Sequence, residues 1–373
     1  MTITATAVTG GRERRDFFHL PSAIYRRDPV WIAPIGSEVR RTLDPNRNPY
    51  FKHASLRLFL ARRDGVPAAR LALVIDDRHT PECGLRTAFF GFFESLNDPE
   101  AVSTLFREAE GVALANGALR LEGPFNPHHY AELGLQLDRF DAPPAFFQPH
   151  NPPYYAELLE GTGFRISKRL QTMRNDDIRG YLERRYGFPD RGETASRDGF
   201  TVRAFSRRRR AADLERIREV NNDAFASNWR FLPLSREEYA FSAKHMSLVS
   251  KPGHILIAES EGRPAAVLHC ALDINPILRE WRGKAGLLKY ARFLRARRDI
   301  KTIILFTVAI KRQYRHTRVY FVLLEAFARL ASGYAAAETS WLSADNIPAV
   351  RAAESLGMRP DRQFAVFAKE IRP

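Results

Sequence analysis

The clearest pattern of hydrophobic and polar positions lies between Lys301 and Leu342. The residues from Ile303 to Ile310 are almost continuously apolar and rich in β-branched side chains, which predicts a buried strand. After the basic segment 311–318, apolar side chains recur at helical spacing, at Val319, Val322, Leu323, Ala326 and Leu330. A buried strand, a cationic turn and a helix that begins at the turn can hold a pyrophosphate, because backbone N–H groups and the positive helix end face the anion.

A repeat is the second pattern along the chain. Alternating apolar residues on both sides of Asp64-Gly65 predict a β-hairpin, and residues 257–269 predict another. Both hairpins contain Gly-x-Pro-Ala-Ala. Two helical segments that begin at Asn151 and Asn346 share Asn-x-Pro and a terminal Gly followed by an apolar residue. The matches occur in the same order and at nearly the same offset, so we predict a duplicated fold.

Other segments complete the two predicted halves. Residues 87–95 predict a strand, and Asp98-Pro99 predicts the N-cap and first residue of a helix with one apolar face. Residues 164–173 are expected to close the N-terminal half. The highly charged segment 176–199 is expected to link the halves, and residues 1–11 to form a disordered tail.

The elements from Ile303 to Met358 resemble the core of the GNAT superfamily of acyl-CoA-dependent N-acyltransferases. The Arg/Gln-x-x-Gly-x-Gly/Ala turn of that family corresponds here to Arg315–Tyr320. Its later Asn-x-x-Ala…Gly-Phe pattern is matched by Asn346, Ala349 and Gly357-Met358, and the Tyr that often acts as general acid corresponds to Ala353. The resemblance is strong from about residue 200 and weaker before it.

This resemblance implies an α/β (α+β) fold with two tandem GNAT-like domains, each a mixed twisted sheet flanked by helices. The expected boundaries are 12–175 for the N-terminal domain and 200–373 for the C-terminal, coenzyme-binding domain. A length of 373 residues fits two domains at roughly 150 residues each. A hydrophobic content of 45% excludes general disorder.

The predicted coenzyme site lies in the C-terminal half alone, because the corresponding turn of the N-terminal half, Glu94–Asp98, is acidic and repels a pyrophosphate. The resemblance implies acyl-CoA as co-substrate, with a backbone N–H near Val308 to Ile310 stabilising the oxyanion of the thioester. The residues expected to contact acyl-CoA are Val308, Ala309, Ile310, Arg312, Arg315, His316, Thr317, Arg318 and Asn346.

Amine acylation also needs a base that takes a proton from the attacking amine. Candidates at predicted strand ends and loops are Glu94, His128, His129, His269 and Glu338. Asn126, Tyr130 and Trp341 are expected to orient the acceptor. His128-His129 is favoured among the histidines because a loop on a rigid scaffold can present it, while the alternative for each His is a surface or satisfied core residue.

A basic insertion separates the second hairpin from the strand at Ile303. Residues 281–301 contain an apolar stripe of Leu287, Tyr290, Ala291 and Leu294 among many Lys and Arg residues. This pattern is typical of a helix that lies on an anionic membrane surface, and equally of a solvated helix packed on its domain. The insertion and the aromatic content favour a lipid-amine acceptor, as in bacterial ceramide-synthase-like acyltransferases. The formal net charge of +15 indicates an anionic partner, for which nucleic acid, membrane phospholipid and an acyl-CoA nucleotide are the candidates.

Several other classes of site and function find little or no support. The isolated Cys83 and Cys270 do not predict a disulfide framework, and the sequence contains neither metal-ligand spacing nor a Walker loop. Because the sequence contains no recognised nucleic-acid-binding module, nucleic acid is not expected as a partner. Without a signal-peptide pattern, we expect a cytoplasmic protein with peripheral contact to the inner face of the membrane. Two alternatives remain open: a non-catalytic GNAT-like binding protein, and an aminoacyl-tRNA-dependent transferase.

Overall fold

The computed structural model describes residues 2–79, 85–187 and 195–372. Within them, the N-terminal half contains, in chain order, β1 (Ile3–Ala7), α1 (Gly11–Ile24), α2 (Gly36–Thr42), β2 (Ala54–Arg63), β3 (Val66–Asp76), β4 (Thr87–Ser95), α3 (Pro99–Ala115), β5 (Arg120–Gly123), β6 (Phe125–Asn126), β7 (Glu132–Leu133), β8 (Leu135–Gln136), α4 (Tyr155–Gly161) and β9 (Arg165–Asn175).

The C-terminal half repeats this order with additional elements. It contains α5 (Ile178–Tyr186), β10 (Ala195–Arg197), β11 (Phe200–Ala204), α6 (Arg210–Ala224), α7 (Arg236–Val249), β12 (Ile255–Ser260), β13 (Arg263–Leu272), α8 (Asn275–Trp281), α9 (Leu287–Ala296), β14 (Thr302–Ile310), α10 (Val319–Ala331), β15 (Ala336–Thr339), β16 (Leu342–Ser343), α11 (Ile347–Glu354) and β17 (Arg359–Glu370). Short 3-10 turns lie at Pro49–Lys52, Arg207–Arg209, Pro252–His254 and Arg312–Tyr314.

Local sequence signals explain many of these elements. At the tip of the β2–β3 hairpin, Asp64 and Gly65 both have positive φ, as a two-residue Asp-Gly turn requires. Asp98 caps α3 by accepting a hydrogen bond from the Ala101 backbone N–H at 3.0 Å, and Pro99 is the first helical residue. The hairpin, the strand at 87–95 and this helix are therefore confirmed.

The two halves form one continuous sheet by exchanging their last strands. The order is β1-β2-β3-β4-β5-β17-β9-β15-β14-β13-β12-β11-β10, and among the described strands only the β4–β5 and β14–β15 pairs are parallel. β9 of the N-terminal half pairs with β15, whereas β17, at the end of the chain, pairs with β5. β9 and β17 also pair with each other, antiparallel, from Arg165↔Ala368 to Arg174↔Arg359. Residues 165–175 thus form the last strand of the N-terminal half, and this strand also joins the sheet of the C-terminal half.

Two expectations need correction. Residues 3–7, expected in a disordered tail, form β1 and pair with β2, with Ala5 opposite Ala61. The expected linker 176–199 contains α5, whose Ile178 and Leu182 are buried in the core of the C-terminal half. The charge pattern concealed this helix because four of its nine residues are charged.

Equivalent helices cover equivalent strands in the two halves. The predicted apolar face of α3, which includes Val102, Leu105 and Phe106, is buried against β2, β3 and β4. The apolar face of α10, with Val322, Leu323 and Phe327, is buried against β13 and β14 in the same way. The duplicated, mixed α/β architecture is thus confirmed. Among the described residues, no helix is long and apolar enough to cross a membrane.

Candidate active site

The two parallel strands of the C-terminal half separate part-way along their length. β14 and β15 pair from Thr302↔Ala336 to Leu305↔Thr339, and then diverge. Ser340 closes the end of the pairing: its N–H donates to Leu305 O at 3.1 Å and its Oγ to Phe306 O at 2.9 Å. Beyond this point β14 keeps β13 as its neighbour on one side, and no strand of the described residues pairs with it on the other; we call this separation of β14 from β15 the gap.

Backbone groups of β14 point into this gap. Lys311 N donates to Ala265 O at 3.0 Å. Because hydrogen-bonding residues alternate along an antiparallel pair, Ala309 faces β13, and Val308 and Ile310 direct their N–H and C=O groups toward the gap. Ala309, which we expected to bind coenzyme, is 1% exposed and packs against α6. Val308 and Ile310 therefore have the better geometry to contact a ligand.

The basic turn after β14 is partly held by acidic residues of α6. Lys311 forms an ion pair with Glu219, and the Arg312 N–H donates to Asp223 Oδ1 at 2.7 Å. The guanidinium of Arg315 donates to Ala224 O at 2.5 Å, and Thr317 Oγ1 donates to Tyr314 O at 2.7 Å. These contacts fix the shape of the turn and leave those cations less available to a ligand.

The last part of the turn is open. His316 and Arg318 are exposed, and Arg318 is the residue that precedes α10. Within the described part of the chain, the backbone N–H groups of His316, Arg318 and Tyr320 have no hydrogen-bond partner. Unpaired N–H groups at a helix start and a nearby guanidinium can bind a phosphate. By contrast, the Asn346 side chain caps α11 by accepting from Ala349 N at 3.3 Å.

The equivalent gap in the N-terminal half is filled by the chain itself. β4 and β5 pair only from Thr87↔Arg120 to Phe89↔Glu122, and β6 then runs against β4. The side-chain oxygen of Asn126 accepts from Phe92 N at 2.6 Å. A Cβ atom on Gly91 would lie 1.6 Å from Phe125 O. This half has no equivalent open gap for a thioester.

The acidic residues of the N-terminal turn are held by internal contacts. The carboxylate of Glu94 accepts hydrogen bonds from the hydroxyls of Tyr25 and Tyr155, both at 2.8 Å. Burial raises the pKa of Glu94, and nearby Arg70 opposes that rise. Asp98 caps α3 and binds Arg63 with two hydrogen bonds. Glu94, a predicted catalytic candidate, therefore lies in the half whose gap is filled.

Glu338 is the candidate base that lies beside the open gap. It belongs to β15, two residues before Ser340, and is 1% exposed. Gln148 donates to one carboxylate oxygen, and Arg174 donates to the other at 2.8 Å. Burial raises the pKa of Glu338 to about 7, although Arg174 opposes the rise. Both partners come from the N-terminal half, which therefore helps to build this site.

A segment that the sequence did not single out covers the same region. Residues 144–148 belong to the N-terminal half, but Phe146 N donates to Asp273 Oδ1 at 3.0 Å and Asn275 Nδ2 donates to Pro144 O at 2.8 Å. The ring of Phe147 lies 4.9 Å from that of Phe306 on β14. The apolar residues of segment 144–148 have neither helical nor strand periodicity, so only the tertiary structure shows where this segment lies.

His269, on β13, is a second neighbour of Phe306. Their rings lie 5.5 Å apart, and His269 Nε2 lies 2.9 Å from Ser250 Oγ. Burial lowers the pKa of His269 to about 4, so the imidazole is neutral at pH 7. It is therefore a satisfied core residue at the edge of the site, and a weaker base than Glu338.

The predicted residues Asn126, His128, His129 and Tyr130 form a separate group at the contact between the halves. His128 packs on Tyr50, and the rings of both His129 and Tyr130 lie 5.8 Å from Phe231. Burial lowers the pKa of His128 to about 4. A cavity of about 10 Å³ beside these histidines has room for about one water molecule. No contact among the described residues joins this group to Glu338.

Trp341 follows Ser340 and packs in a cluster between the two gaps. The same cluster contains Phe125 and Phe364, with Trp229 of the C-terminal half against it. Both tryptophans are partly exposed. Trp341 therefore lies close to the open gap, as its predicted role requires, whereas His128 and His129 do not contact it.

Comparison with solved structures identifies this arrangement. The tandem GNAT protein from the clavulanic acid biosynthesis pathway aligns with a TM-score of 0.58 and 14% identity, over 100% of this chain and 99% of that chain. A GCN5-related N-acetyltransferase from Sphaerobacter thermophilus aligns with a TM-score of 0.53 and 15% identity, over 100% and 96%. The chain has the tandem GNAT fold. No family model matches its sequence.

Curated proteins resemble this tandem GNAT chain over nearly its full length. Bacterial ceramide synthase from Caulobacter vibrioides (strain NA1000 / CB15N) is 28% identical, with 96% of this chain and 95% of that protein covered. Protein YghO from Escherichia coli (strain K12) is 27% identical, with 95% and 92% covered.

The described residues contain no group of three or more His, Cys, Asp or Glu side chains suited to a metal ion. Cys270 is free and buried, and burial raises the pKa of its thiol. Cys83 lies outside the described residues.

Proposed function

We propose that this tandem GNAT protein is an N-acyltransferase that moves an acyl group from a coenzyme A thioester to a primary amine. The observation that carries the proposal is the open gap beside β14 in the C-terminal half, with the exposed basic turn at its end. The filled gap beside β4 provides an internal comparison, because the same fold there has no equivalent space. One acyl-CoA per chain is therefore expected.

The residues at the gap suit the chemistry of acyl transfer. The amine nitrogen attacks the thioester carbon, the C–S bond breaks, and the coenzyme leaves as a thiol after taking up a proton. The N–H groups of Val308 and Ile310 face the space where the thioester oxygen would become negative. Glu338, with its pKa near 7, is the proposed base for the ammonium proton.

The proposed acceptor is a long-chain or lipid amine. Aromatic side chains lie near the gap: Phe147 contacts Phe306 on β14, and the partly exposed Trp341 follows Ser340. Such surfaces suit an apolar chain. The relative named bacterial ceramide synthase supports a lipid acceptor as well. A lipid acceptor would bring the protein to a membrane.

A charge reversal tests the coenzyme site. Arg318→Glu should weaken acyl-CoA binding at least about tenfold, because it replaces an exposed cation beside the open N–H groups with an anion. Arg318 is preferred over Arg315, whose guanidinium holds Ala224 O. Isothermal titration calorimetry with a long-chain acyl-CoA measures both affinity and stoichiometry.

Arg208→Glu is the matched control, since it makes the same charge change at an exposed residue of the Arg207–Arg209 turn. Equal affinities for the two variants would show that the turn does not bind the pyrophosphate. A measured stoichiometry of two coenzymes per chain would contradict the proposal that only the C-terminal half binds coenzyme. Binding without formation of an amide from any tested amine would favour a non-catalytic binding protein.

A further inference from the structure

Helix α9 is attached to the protein by one side only. Phe293 is 2% exposed and packs against Trp281, with ring centroids 5.9 Å apart, in a core cluster that also contains Ile304 of β14. Lys289 Nζ donates to Trp281 O at 2.8 Å from the same side. These contacts hold the helix in a defined orientation on the C-terminal half.

The opposite side of α9 is apolar and exposed. At 3.6 residues per turn, positions 287, 288 and 291 lie opposite Phe293. Leu287 is 90% exposed and Leu288 81%, while Leu294 beside them is 40% exposed. The predicted apolar stripe is therefore present, but it is not part of the domain core. Adjacent leucines with this degree of exposure at the start of a helix are typical of a surface that another molecule covers.

Basic residues surround this apolar surface. Residues 281–301 contain eight Lys or Arg residues and one acidic residue, Asp299. Arg292, Arg295 and Arg298 are exposed, and none of them forms an ion pair within the described part of the chain. Their charge is thus available to an anionic partner.

We propose that α9 docks on an anionic lipid bilayer, with Leu287 and Leu288 inserted among the acyl chains and the arginines at the level of the lipid phosphates. This combination of exposed leucines and unpaired cations matches a bilayer surface better than its alternatives. In a symmetric dimer through this face, Arg292 and Arg295 would approach their own copies and repel them. A nucleic-acid backbone would attract the arginines but leave the leucines in water.

Docking in this orientation places the membrane beside the acyl-transfer site. The cluster around Phe293 includes Phe147, whose ring contacts Phe306 at the gap. One packed apolar cluster therefore connects the docked helix with the residues beside the gap. The inference adds a partner to the proposed function, and its test needs no acyl transfer.

Vesicle co-sedimentation tests the proposal on the full chain. Vesicles of phosphatidylcholine with phosphatidylglycerol should bind the wild type at least tenfold more strongly than vesicles of phosphatidylcholine alone. Raised salt should weaken this binding without abolishing it, because salt screens the charges but not the apolar contact. Leu287→Asp with Leu288→Asp should reduce binding at least tenfold. Val66→Asp, at a 63% exposed apolar residue on the tip of the β2–β3 hairpin, is the control and should bind as the wild type does.

Equal vesicle binding by the double aspartate variant and the wild type, with equal melting temperatures, would overturn the proposal. Failure of the wild type to bind anionic vesicles would also overturn the proposal. A wild-type dimer that the double variant converts to a monomer would show that a second copy covers the leucines. If the aspartates lower the melting temperature, Leu287→Ser with Leu288→Ser gives the same test. Calorimetry with acyl-CoA should be unchanged in each variant, so a failure of docking is distinguishable from a failure of the coenzyme site.

Discussion

The carboxyl group of Glu338 illustrates how burial sets the chemistry of a single residue in this protein. Its folded-state pKa, about 7, lies well above the 4.5 of an exposed glutamate, because loss of hydration outweighs the attraction of Arg174. A carboxyl group with this pKa is half ionised near neutral pH, which suits a general base. The same property makes Glu338 a source of pH-dependent stability.

Glu338→Gln tests both consequences at the residue scale. The folded state binds the Glu338 proton more tightly than the unfolded state, so this group stabilises the fold below about pH 4.5 and loses that contribution as pH rises to about 7. The difference corresponds to about 3 kcal/mol. The free energy of unfolding should therefore fall less between pH 5 and pH 7.5 in the variant than in the wild type, as urea titrations would measure.

The rate of acyl transfer is the second property to measure in the Glu338→Gln variant. Loss of a general base should lower kcat about 10²- to 10⁴-fold and remove the rise of activity with pH up to about 7. The Glu94→Gln variant tests whether the general base lies in the N-terminal half instead. A large loss of kcat at Glu94 and none at Glu338 would place the base in the N-terminal half and contradict our assignment.

Short elements decide which half of this tandem GNAT fold keeps an open gap. In the N-terminal half, β6 lies so close to β4 that Gly91 has no space for a Cβ atom. In the C-terminal half, β16 pairs with β9 instead, at Leu342↔Gln171, and the gap beside β14 stays free. Two halves with the same element order thus differ through the path of a few residues after the second parallel strand.

Gly91→Ala tests this close approach at the element scale. The new methyl group would collide with a backbone oxygen, so the variant should lose about 3 kcal/mol or more of unfolding free energy. Gly111→Ala is the matched control, because Gly111 is an exposed residue of α3 with no atom near its Cβ position. That change should stabilise the protein by up to about 1 kcal/mol. Equal melting temperatures for the two variants would show that β6 does not fill the N-terminal gap.

Strand exchange joins the two halves of the molecule in one sheet. Each half contributes its last strand to the sheet of the other, through β9 and β17, and these two strands pair along most of their length. Gln148 and Arg174 of the N-terminal half also hold Glu338 of the other half. Neither half has a complete sheet or a complete site alone.

Separate fragments test this interdependence. Residues 1–176 and 177–373, expressed alone, should be aggregated or lack a cooperative thermal transition, because each has an unpaired strand edge where the exchanged strand belongs. Co-expressed, the two fragments should elute together and recover a cooperative transition, measured by size exclusion and circular dichroism. A monomeric fragment 1–176 that melts like the full chain would contradict the exchange.

The sequence alone determined many of the elements and their duplication. Three local signals predicted elements that the structure contains: the apolar alternation around Asp64-Gly65, the Asp98-Pro99 cap and the apolar run at 303–310. They succeeded because backbone preferences and side-chain periodicity act within a few residues. The same patterns, with the family resemblance, indicated the tandem GNAT fold. They also located the exposed apolar stripe of residues 281–301.

Tertiary structure decided the rest. No local pattern encodes contacts between residues far apart in sequence. Such contacts produce the exchange of β9 and β17, the filling of one gap by β6 and the hydrogen bond from Gln148 to Glu338. His128 and His129 were favoured as site residues because they occupy a polar loop, and the fold places them half-buried against Tyr50 and Phe231. Burial is the largest cause of the raised pKa of Glu338, and it depends on the packing of both halves around one carboxyl group.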